Sequence, residues 1–111
     1  MAQGPPACAD QALSYGLEFR PEAEEDLRST YLWYEWQRAG LGEQFLLCVE
    51  AALALVRDNP FLGRKVHERA RRIHTRRFPY GILYGVEHRR IVVLAVFHGH
   101  RDPRDWLRRV S

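Results

Sequence analysis

The sequence predicts an α+β fold with an N-terminal strand, an α-helical hairpin, a three-stranded antiparallel meander and a short C-terminal helix. Two observations lead to this prediction. Apolar residues recur at helical spacing in the first half of the chain, whereas the second half contains successive short runs rich in Val, Ile and aromatic residues. Consecutive strands joined by tight turns pair in antiparallel order, so the helices are expected together on one face of the sheet.

The run of apolar residues at positions 91–97 is the centre of this prediction. It contains three valines, one isoleucine and no polar residue. A strand has this composition when both of its faces are covered, which predicts an interior position in the sheet. The run is too short to cross a bilayer as a helix. Ionisable side chains follow it directly, namely His98, His100 and Arg101.

The N-terminal part contains a tail, a strand and a helix. Residues 1–12 show no periodicity and are predicted to form a flexible tail, which leaves residues 13–111 as a single domain. Apolar and polar residues alternate over positions 13–20, which predicts a half-buried strand. Pro21 is typical of a first helical turn, and Gly40 can provide a left-handed cap at the end of the helix. The apolar stripe of this helix is Ala23, Leu27, Tyr31 and Tyr34, with Trp33 and Trp36 beside it.

A second helix is predicted from about Gly42 to the residue before Asn59, because the residue preceding Pro60 disfavours the helical conformation. Its expected core stripe is Phe45, Val49, Ala52, Leu53 and Val56.

The remaining elements are three strands and a helix. Residues 61–68 form a connection whose shape the sequence does not define. Residues 70–78 are predicted to be a strand with one solvated face, residues 82–86 the next strand, and residues 103–109 a last helix. Asp102 is the expected N-cap of that helix and Trp106 its anchor.

Charge is distributed unevenly along the chain. Residues 1–63 carry a net charge of −6 from four Arg and ten acidic residues, whereas residues 64–111 carry +9 from twelve Arg, one Lys and four acidic residues. A guanidinium group binds phosphate and carboxylate groups with a fork of donors, so this asymmetry predicts an anionic or acidic partner. The alternative is a solvated, Arg-rich surface without a partner.

Cysteine usage and hydropathy indicate a cytoplasmic protein. Cys8 and Cys48 lie far apart and match no metal or redox spacing, and Cys48 is expected to be a buried thiol on a helix. The first ten residues lack the layout of a signal peptide, and no apolar run reaches the length of a membrane span. No cofactor and no metal are expected, because His98 and His100 have no carboxylate or thiol at a matching spacing.

Six segments, in a fixed order, carry a resemblance to a known family. They are residues 17–27 (LEFRPEAEEDL), 41–45 (LGEQF), 59–60 (NP), 71–73 (RRI), 77–84 (RFPYGILY) and 96–103 (VFHGHRDP). Together they resemble the ParE/RelE superfamily of toxins from bacterial type II toxin–antitoxin pairs, and more closely its ParE or plasmid stabilisation branch. The resemblance extends over residues 14–110, and the ordered combination is more specific than any one segment.

The resemblance implies a cytoplasmic, growth-inhibiting toxin that a cognate acidic antitoxin neutralises, with a heterotetramer as one expected assembly and no membrane partner. In this superfamily the C-terminal segment of the antitoxin wraps around the helices and the sheet of the toxin. ParE-like members inhibit DNA gyrase without hydrolysis, whereas RelE-like members cleave messenger RNA on the ribosome with basic and aromatic side chains on the concave face of the sheet.

The sequence favours the gyrase mechanism, for which no catalytic residue is expected. A ribonuclease of the RelE type would use Arg72, Arg76, Arg77 and Arg101 on the phosphate, and His74, His98 or His100 for proton transfer. However, the C-terminus lacks the His or Tyr that several ribonuclease members carry, and Lys65 is the only lysine. A third alternative is a non-toxic protein-interaction module of the same fold.

Two sets of candidate binding residues follow. Target-binding residues are expected on one common basic surface and comprise Arg72, Arg76, Arg77, Arg101, Arg104 and Trp106. Antitoxin-binding residues are expected on the first helix and comprise Tyr31, Trp33, Tyr34 and Trp36. The alternative for this aromatic cluster is a platform on which nucleic-acid bases stack.

Overall fold

A computed structural model describes residues 15–99 and 103–110. In this part of the chain, one mixed sheet has helices packed on both of its faces. The elements are β1 (Gly16–Phe19), α1 (Pro21–Gln37), α2 (Leu41–Asp58), β2 (Arg64–His67), β3 (Ala70–His74), β4 (Tyr80–Glu87), β5 (Arg90–His98) and α3 (Pro103–Leu107). The predicted α+β class and the helical hairpin are confirmed.

The sheet has the strand order β1-β5-β4-β3-β2. Strands β2 to β5 form an antiparallel meander, and β1 pairs with β5 in parallel, with Gly16 opposite Arg90 and Phe19 opposite Val93. The meander therefore has four strands, one more than the sequence predicted, because residues 61–68 contain β2. Val66 is the single apolar residue of this edge strand, so β2 shows no apolar pattern in the sequence.

Strand β5 is interior and buried on both faces, as predicted. All residues at positions 91–97 are buried. Val93 and Val96 pack with Phe45 of α2, whereas Val92 and Phe97 belong to a cluster on the opposite face that Leu107 covers. We call the first the helical face and the second the outer face.

The second long helix, α2, buries its expected stripe, whereas in α1 only Ala23 of the expected stripe is buried, and Leu27, Tyr31 and Tyr34 are half-buried. Every predicted core residue of α2 is buried, and α2 ends at Asp58, one residue before Asn59. Gly40 lies between the helices with a φ of 91°, in the left-handed region that glycine adopts readily. The Glu35 carboxylate of α1 accepts hydrogen bonds from the backbone N–H groups of Gly40 (3.1 Å) and Glu43 (3.2 Å), and thereby caps the start of α2.

Several predicted boundaries were wrong. Strand β3 ends at His74 and not at residue 78, because residues 75–79 form a turn in which the buried Thr75 hydroxyl donates to the Phe78 carbonyl at 2.9 Å. The last helix ends at Leu107 and not at residue 109. Strand β1 is more exposed than a half-buried strand, since only Phe19 is partly covered. The predictions for residues 1–14 and for Asp102 concern positions outside the described residues.

Within the described ranges, no helix combines the length and the apolar composition that a membrane span requires.

Candidate functional site

The aromatic residues of α1 divide between the core and the surface. Trp36 is 87% exposed and Trp33 56% exposed. The Tyr34 ring instead points inward, with its centroid 4.9 Å from Phe78 and 5.5 Å from Phe45. Burial, and then the neighbouring Tyr80, raise the pKa of Tyr34, so its hydroxyl stays neutral. Of the predicted antitoxin-binding residues, the two tryptophans therefore form the accessible part.

Tyr31 is intermediate between these extremes. It is half-buried, and its hydroxyl donates to Glu43 Oε2 at the long distance of 3.4 Å. This long, exposed contact reaches from α1 to the first turn of α2, and the rest of the Tyr31 side chain stays partly accessible.

A groove beside α2 was not predicted from the sequence. It has a volume of about 370 Å³, and its α2 wall includes Leu47, Ala51 and Leu55. Leu47 and Leu55 are 62% and 54% exposed and lie together on one wall of the groove. Their i, i+4, i+8 spacing on the side of α2 away from its core stripe was the signal that could have revealed the groove.

Arg76 and Arg77 form the opposite wall of this groove, in the turn between β3 and β4. Both are exposed. Arg77 has a φ of 72°, and its Nη2 donates to Gln44 Oε1 of α2 at 2.9 Å, which fixes the turn against the helix. The groove therefore combines an apolar wall with a cationic rim.

Arg72 lies on the outer face, away from α1 and α2. It alternates with Ile73, which packs into the helical-face core, and it stands opposite Leu83 of the outer-face cluster. A Cβ atom at Gly81 would be 3.6 Å from Cδ of Arg72 and 3.2 Å from Cζ of Phe97. The Arg72 side chain thus runs along the outer face next to the Phe97 ring.

His98 points to the helical face. It stands opposite Tyr80 in the β4–β5 register, and the two ring centroids are 5.3 Å apart. Tyr80 in turn contacts Phe45, with centroids 5.3 Å apart, so His98 borders the aromatic core.

The structure does not bring the predicted target-binding residues together. Arg72 lies on the outer face, whereas Arg76 and Arg77 lie beside α2, so the expectation of one common basic surface is wrong for these three residues. Arg104 is exposed on α3. Arg101 and the side chain of Trp106 lie outside the described part of the structure.

The described residues contain no group of three or more His, Cys, Asp or Glu side chains that could hold a metal ion. Cys48 is a half-buried free thiol on the wall of the groove.

Comparison with known families identifies the chain. The model of the ParE toxin family, described as the ParE toxin of the type II toxin–antitoxin system parDE, matches residues 17–103. The chain belongs to this family. The match begins in β1 and ends at the start of α3, so it includes the complete sheet and both long helices.

Two solved structures share the fold of this ParE-family chain. One is from the chromosomal ParDE toxin–antitoxin system of P. aeruginosa, with a TM-score of 0.67 and 15% sequence identity over 76% of this chain and 95% of that chain. The other is the isolated E. coli RelE toxin, with a TM-score of 0.60 and 18% identity over 87% of this chain and 99% of that chain. A search of curated protein sequences gave no significant match.

Membership of the ParE family makes this chain a type II toxin of the ParE/RelE superfamily, and an antitoxin is its partner. The resemblance seen in the sequence is thereby confirmed.

Proposed function

We propose that this ParE-family toxin acts in the cytoplasm by inhibiting DNA gyrase without hydrolysing a substrate, and that an acidic antitoxin neutralises it in a heterotetramer. One observation carries the choice of mechanism. Arg72 and His98, two of the side chains that a ribonuclease of this superfamily would use, lie on opposite faces of the sheet.

General acid–base cleavage of RNA needs a proton acceptor, a proton donor and a cation around a single phosphate group. The imidazole of His98 borders the aromatic core on the helical face. Arg72 runs along the outer face next to Phe97, on the other side of the sheet. These two groups cannot act on the same phosphate, which supports a non-hydrolytic mechanism.

Arg76 and Arg77 are the best candidates for contact with the target. They are exposed, they carry two positive charges, and the hydrogen bond between Arg77 and Gln44 holds their turn in place. A pair of guanidinium groups, one of them fixed by Gln44, next to an apolar groove suits a protein surface that has both carboxylates and apolar side chains.

The surface around Trp33 and Trp36 is our proposed antitoxin site. Exposed tryptophans are frequent anchors in protein interfaces, and here they stand on the rigid helix α1. The net charge of +9 on residues 64–111 favours an acidic partner.

The proposal is tested with the purified full chain in two parallel assays. A DNA supercoiling and cleavage-complex assay with gyrase should show inhibition, whereas messenger RNA in a translating extract should stay intact. The double variant Arg76→Gln/Arg77→Gln should weaken gyrase inhibition about tenfold, as expected when charged contacts at an interface are removed.

The matched control is Arg28→Gln/Arg38→Gln, which removes two exposed arginines, one in α1 and one directly after it, and should behave like the unmodified toxin. Cleavage of messenger RNA with gyrase unaffected would replace the proposal by the RelE-type mechanism. Absence of both effects, with growth unimpaired by expression of the toxin alone, would indicate a non-toxic interaction module.

A further inference from the structure

A small notch lies at the end of the sheet opposite the β3–β4 turn, between the β2–β3 hairpin and the end of β4. Its volume is about 150 Å³, and Phe61 forms one wall. Gly85 allows the hairpin to close against β4, because a Cβ atom at this position would lie only 2.9 Å from the Arg69 carbonyl oxygen. A depression of this size has room for a phosphate group.

The lining of the notch is strongly basic. Lys65, His67, Arg69 and Arg71 contribute to it, and Glu68 is the single acidic residue. None of the four basic residues belongs to the set that the sequence assigned to target binding. Four groups that donate hydrogen bonds in one concave site are suited to an oxyanion.

Arg71 is held in place before any ligand arrives. Its Nη1 donates to the carbonyl oxygens of Phe61 (3.1 Å) and Gly63 (2.9 Å), and its guanidinium carbon lies 5.0 Å from the centroid of the Phe61 ring. Both hydrogen bonds use the same nitrogen. The planar guanidinium therefore keeps the donors on Nε and Nη2 in a fixed orientation, and neither forms a hydrogen bond within the described part of the chain.

The ring of His67 is also oriented. Its Nδ1 accepts a hydrogen bond from the backbone N–H of Arg69 at 3.1 Å. In the neutral imidazole the proton is then on Nε2, which makes this atom a donor. Lys65 and Arg69 are exposed at the rim and add two mobile positive charges.

We propose that this notch binds a phosphate group of the DNA backbone, so that the toxin contacts DNA directly when it acts on DNA-bound gyrase. The proposal rests on the proposed function and extends it to a second ligand. The phosphate would accept from the fixed donors of Arg71 and from Nε2 of His67, with Lys65 and Arg69 above it at the rim. Further phosphates of the DNA backbone would lie along the exposed edge strand β2, which carries Arg64 and Lys65.

The test measures binding of the purified full chain to a fluorescein-labelled DNA duplex of about 20 base pairs over a series of salt concentrations. The variant Lys65→Gln/Arg69→Gln should weaken binding about tenfold and reduce the slope of log K against log [salt] by about 1, because the loss of one phosphate contact changes the slope by roughly 0.9. The control Arg28→Gln/Arg38→Gln removes the same charge from exposed positions in α1 and directly after it, and should change the affinity less than about twofold. Thermal unfolding of both variants should match that of the unmodified chain.

Inorganic phosphate is the second probe, followed by amide chemical shifts. Shifts confined to residues around Arg71 and Gly85 are expected, and Lys65→Gln/Arg69→Gln should reduce them. If inorganic phosphate binds there but the notch variant and the control bind duplex equally, the site takes a free anion and the DNA proposal fails. The proposal also fails if the notch variant and the control lose the same amount of affinity for duplex, or if the unmodified chain binds neither duplex nor inorganic phosphate.

The two proposals can fail separately. Loss of duplex binding in the notch variant with no effect of the toxin on gyrase would refute the proposed function alone. Gyrase inhibition that persists while the notch variant binds duplex normally would refute the phosphate site alone.

Discussion

Arg109 in the C-terminal segment and Asp26 in α1, which are 83 positions apart in the chain, form a bidentate ion pair. Nη1 of Arg109 lies 2.9 Å from Oδ2 of Asp26, and Nη2 lies 3.2 Å from Oδ1. Both side chains are less than one-third exposed. The pair occupies the edge of β5 beyond the end of β1, where Asp26 accepts from the Val96 N–H (3.0 Å) and Arg109 donates to the Leu94 carbonyl (3.0 Å). Two side chains thus replace a missing stretch of strand.

Replacement of Asp26 by Asn should destabilise the fold by about 2 kcal/mol, because it leaves a half-buried guanidinium without its carboxylate and weakens a backbone hydrogen bond. Urea unfolding measures this change. The control Asp105→Asn breaks the exposed pair with Arg108 (3.3 Å) and should cost less than about 0.5 kcal/mol. Equal effects of the two substitutions would contradict the assigned role of Asp26.

The same ion pair should not make stability pH-dependent near neutrality. The hydrogen bond to Asp26 is the main cause that raises the pKa of Arg109 above its ordinary value. A base with a raised pKa in the folded state contributes its full stabilisation below the pKa of the unfolded state, and loses it only as the pH rises through the folded value. For an arginine this lies at strongly alkaline pH.

Tyr84 should give the protein a measurable sensitivity to alkali. Its buried hydroxyl donates to the Pro60 carbonyl (2.8 Å) and accepts from the Gly63 N–H (2.9 Å), and burial raises its pKa above the ordinary 10.0. The unfolded state then loses its phenolic proton first, so the free energy of unfolding falls as the pH rises above this ordinary value. Tyr84→Phe should cost about 1–2 kcal/mol at neutral pH and flatten the alkaline decline.

Urea unfolding at neutral pH and in the alkaline range checks the Tyr84 prediction. Tyr31→Phe is the control at neutral pH, because the Tyr31 hydroxyl has only the long, exposed contact with Glu43 and its removal should leave stability unchanged. An alkaline decline that Tyr84→Phe leaves as steep as before would exclude Tyr84 as its source.

Gly42 is required for the close approach of the two long helices. A Cβ atom there would lie 2.6 Å from the Tyr31 carbonyl oxygen and 2.7 Å from Cγ of Glu35. Gly42→Ala should therefore cost about 1–3 kcal/mol through overpacking, although alanine is the better helix former. Gly16→Ala in β1 is the matched control, because its Cβ would meet only Arg90 Cγ at an ordinary 3.6 Å. Thermal unfolding compares the two, and an unchanged melting temperature for Gly42→Ala would disprove the contact.

Substitutions of Trp36 and Tyr34 should have separate effects, the first on antitoxin affinity and the second on the stability of the fold. Trp36→Ala changes a side chain that is 87% exposed, so it should alter stability by less than about 0.5 kcal/mol while weakening antitoxin affinity at least about tenfold. Tyr34→Ala removes a ring that contacts Phe45 and Phe78 and should cost about 3 kcal/mol. Calorimetric titration with the cognate antitoxin measures the affinities. A Trp36→Ala toxin that binds its antitoxin normally would place the antitoxin elsewhere.

Features with a regular period could be predicted from the sequence, and features that depend on distant pairs could not. The core stripe of α2 and the interior strand at positions 91–97 follow from spacing and composition. Strand β2 was missed because an edge strand needs no apolar pattern. The separation of Arg72 from Arg76 and Arg77 depends on where β3 stops, and that depends on the hydrogen bonds of Thr75 within the turn.

The basic notch shows the same limit. Lys65 and Arg71 are six positions apart, and they meet only because β2 and β3 pair with these two residues opposite each other. The hydrogen bonds that orient Arg71 come from carbonyl groups in a loop whose course the sequence does not define.

The parallel pairing of β1 with β5 has a consequence for synthesis of the toxin. Strand β1 is synthesised long before its partner β5, so the two strands can pair only after β5 has left the ribosome. The long loop between β1 and β5 must close, with a loss of chain entropy, before their hydrogen bonds can stabilise the chain. A nascent toxin can therefore pair β2, β3 and β4 as they emerge, but β1 has no partner strand until β5 has been made, so the native sheet is completed only late in synthesis.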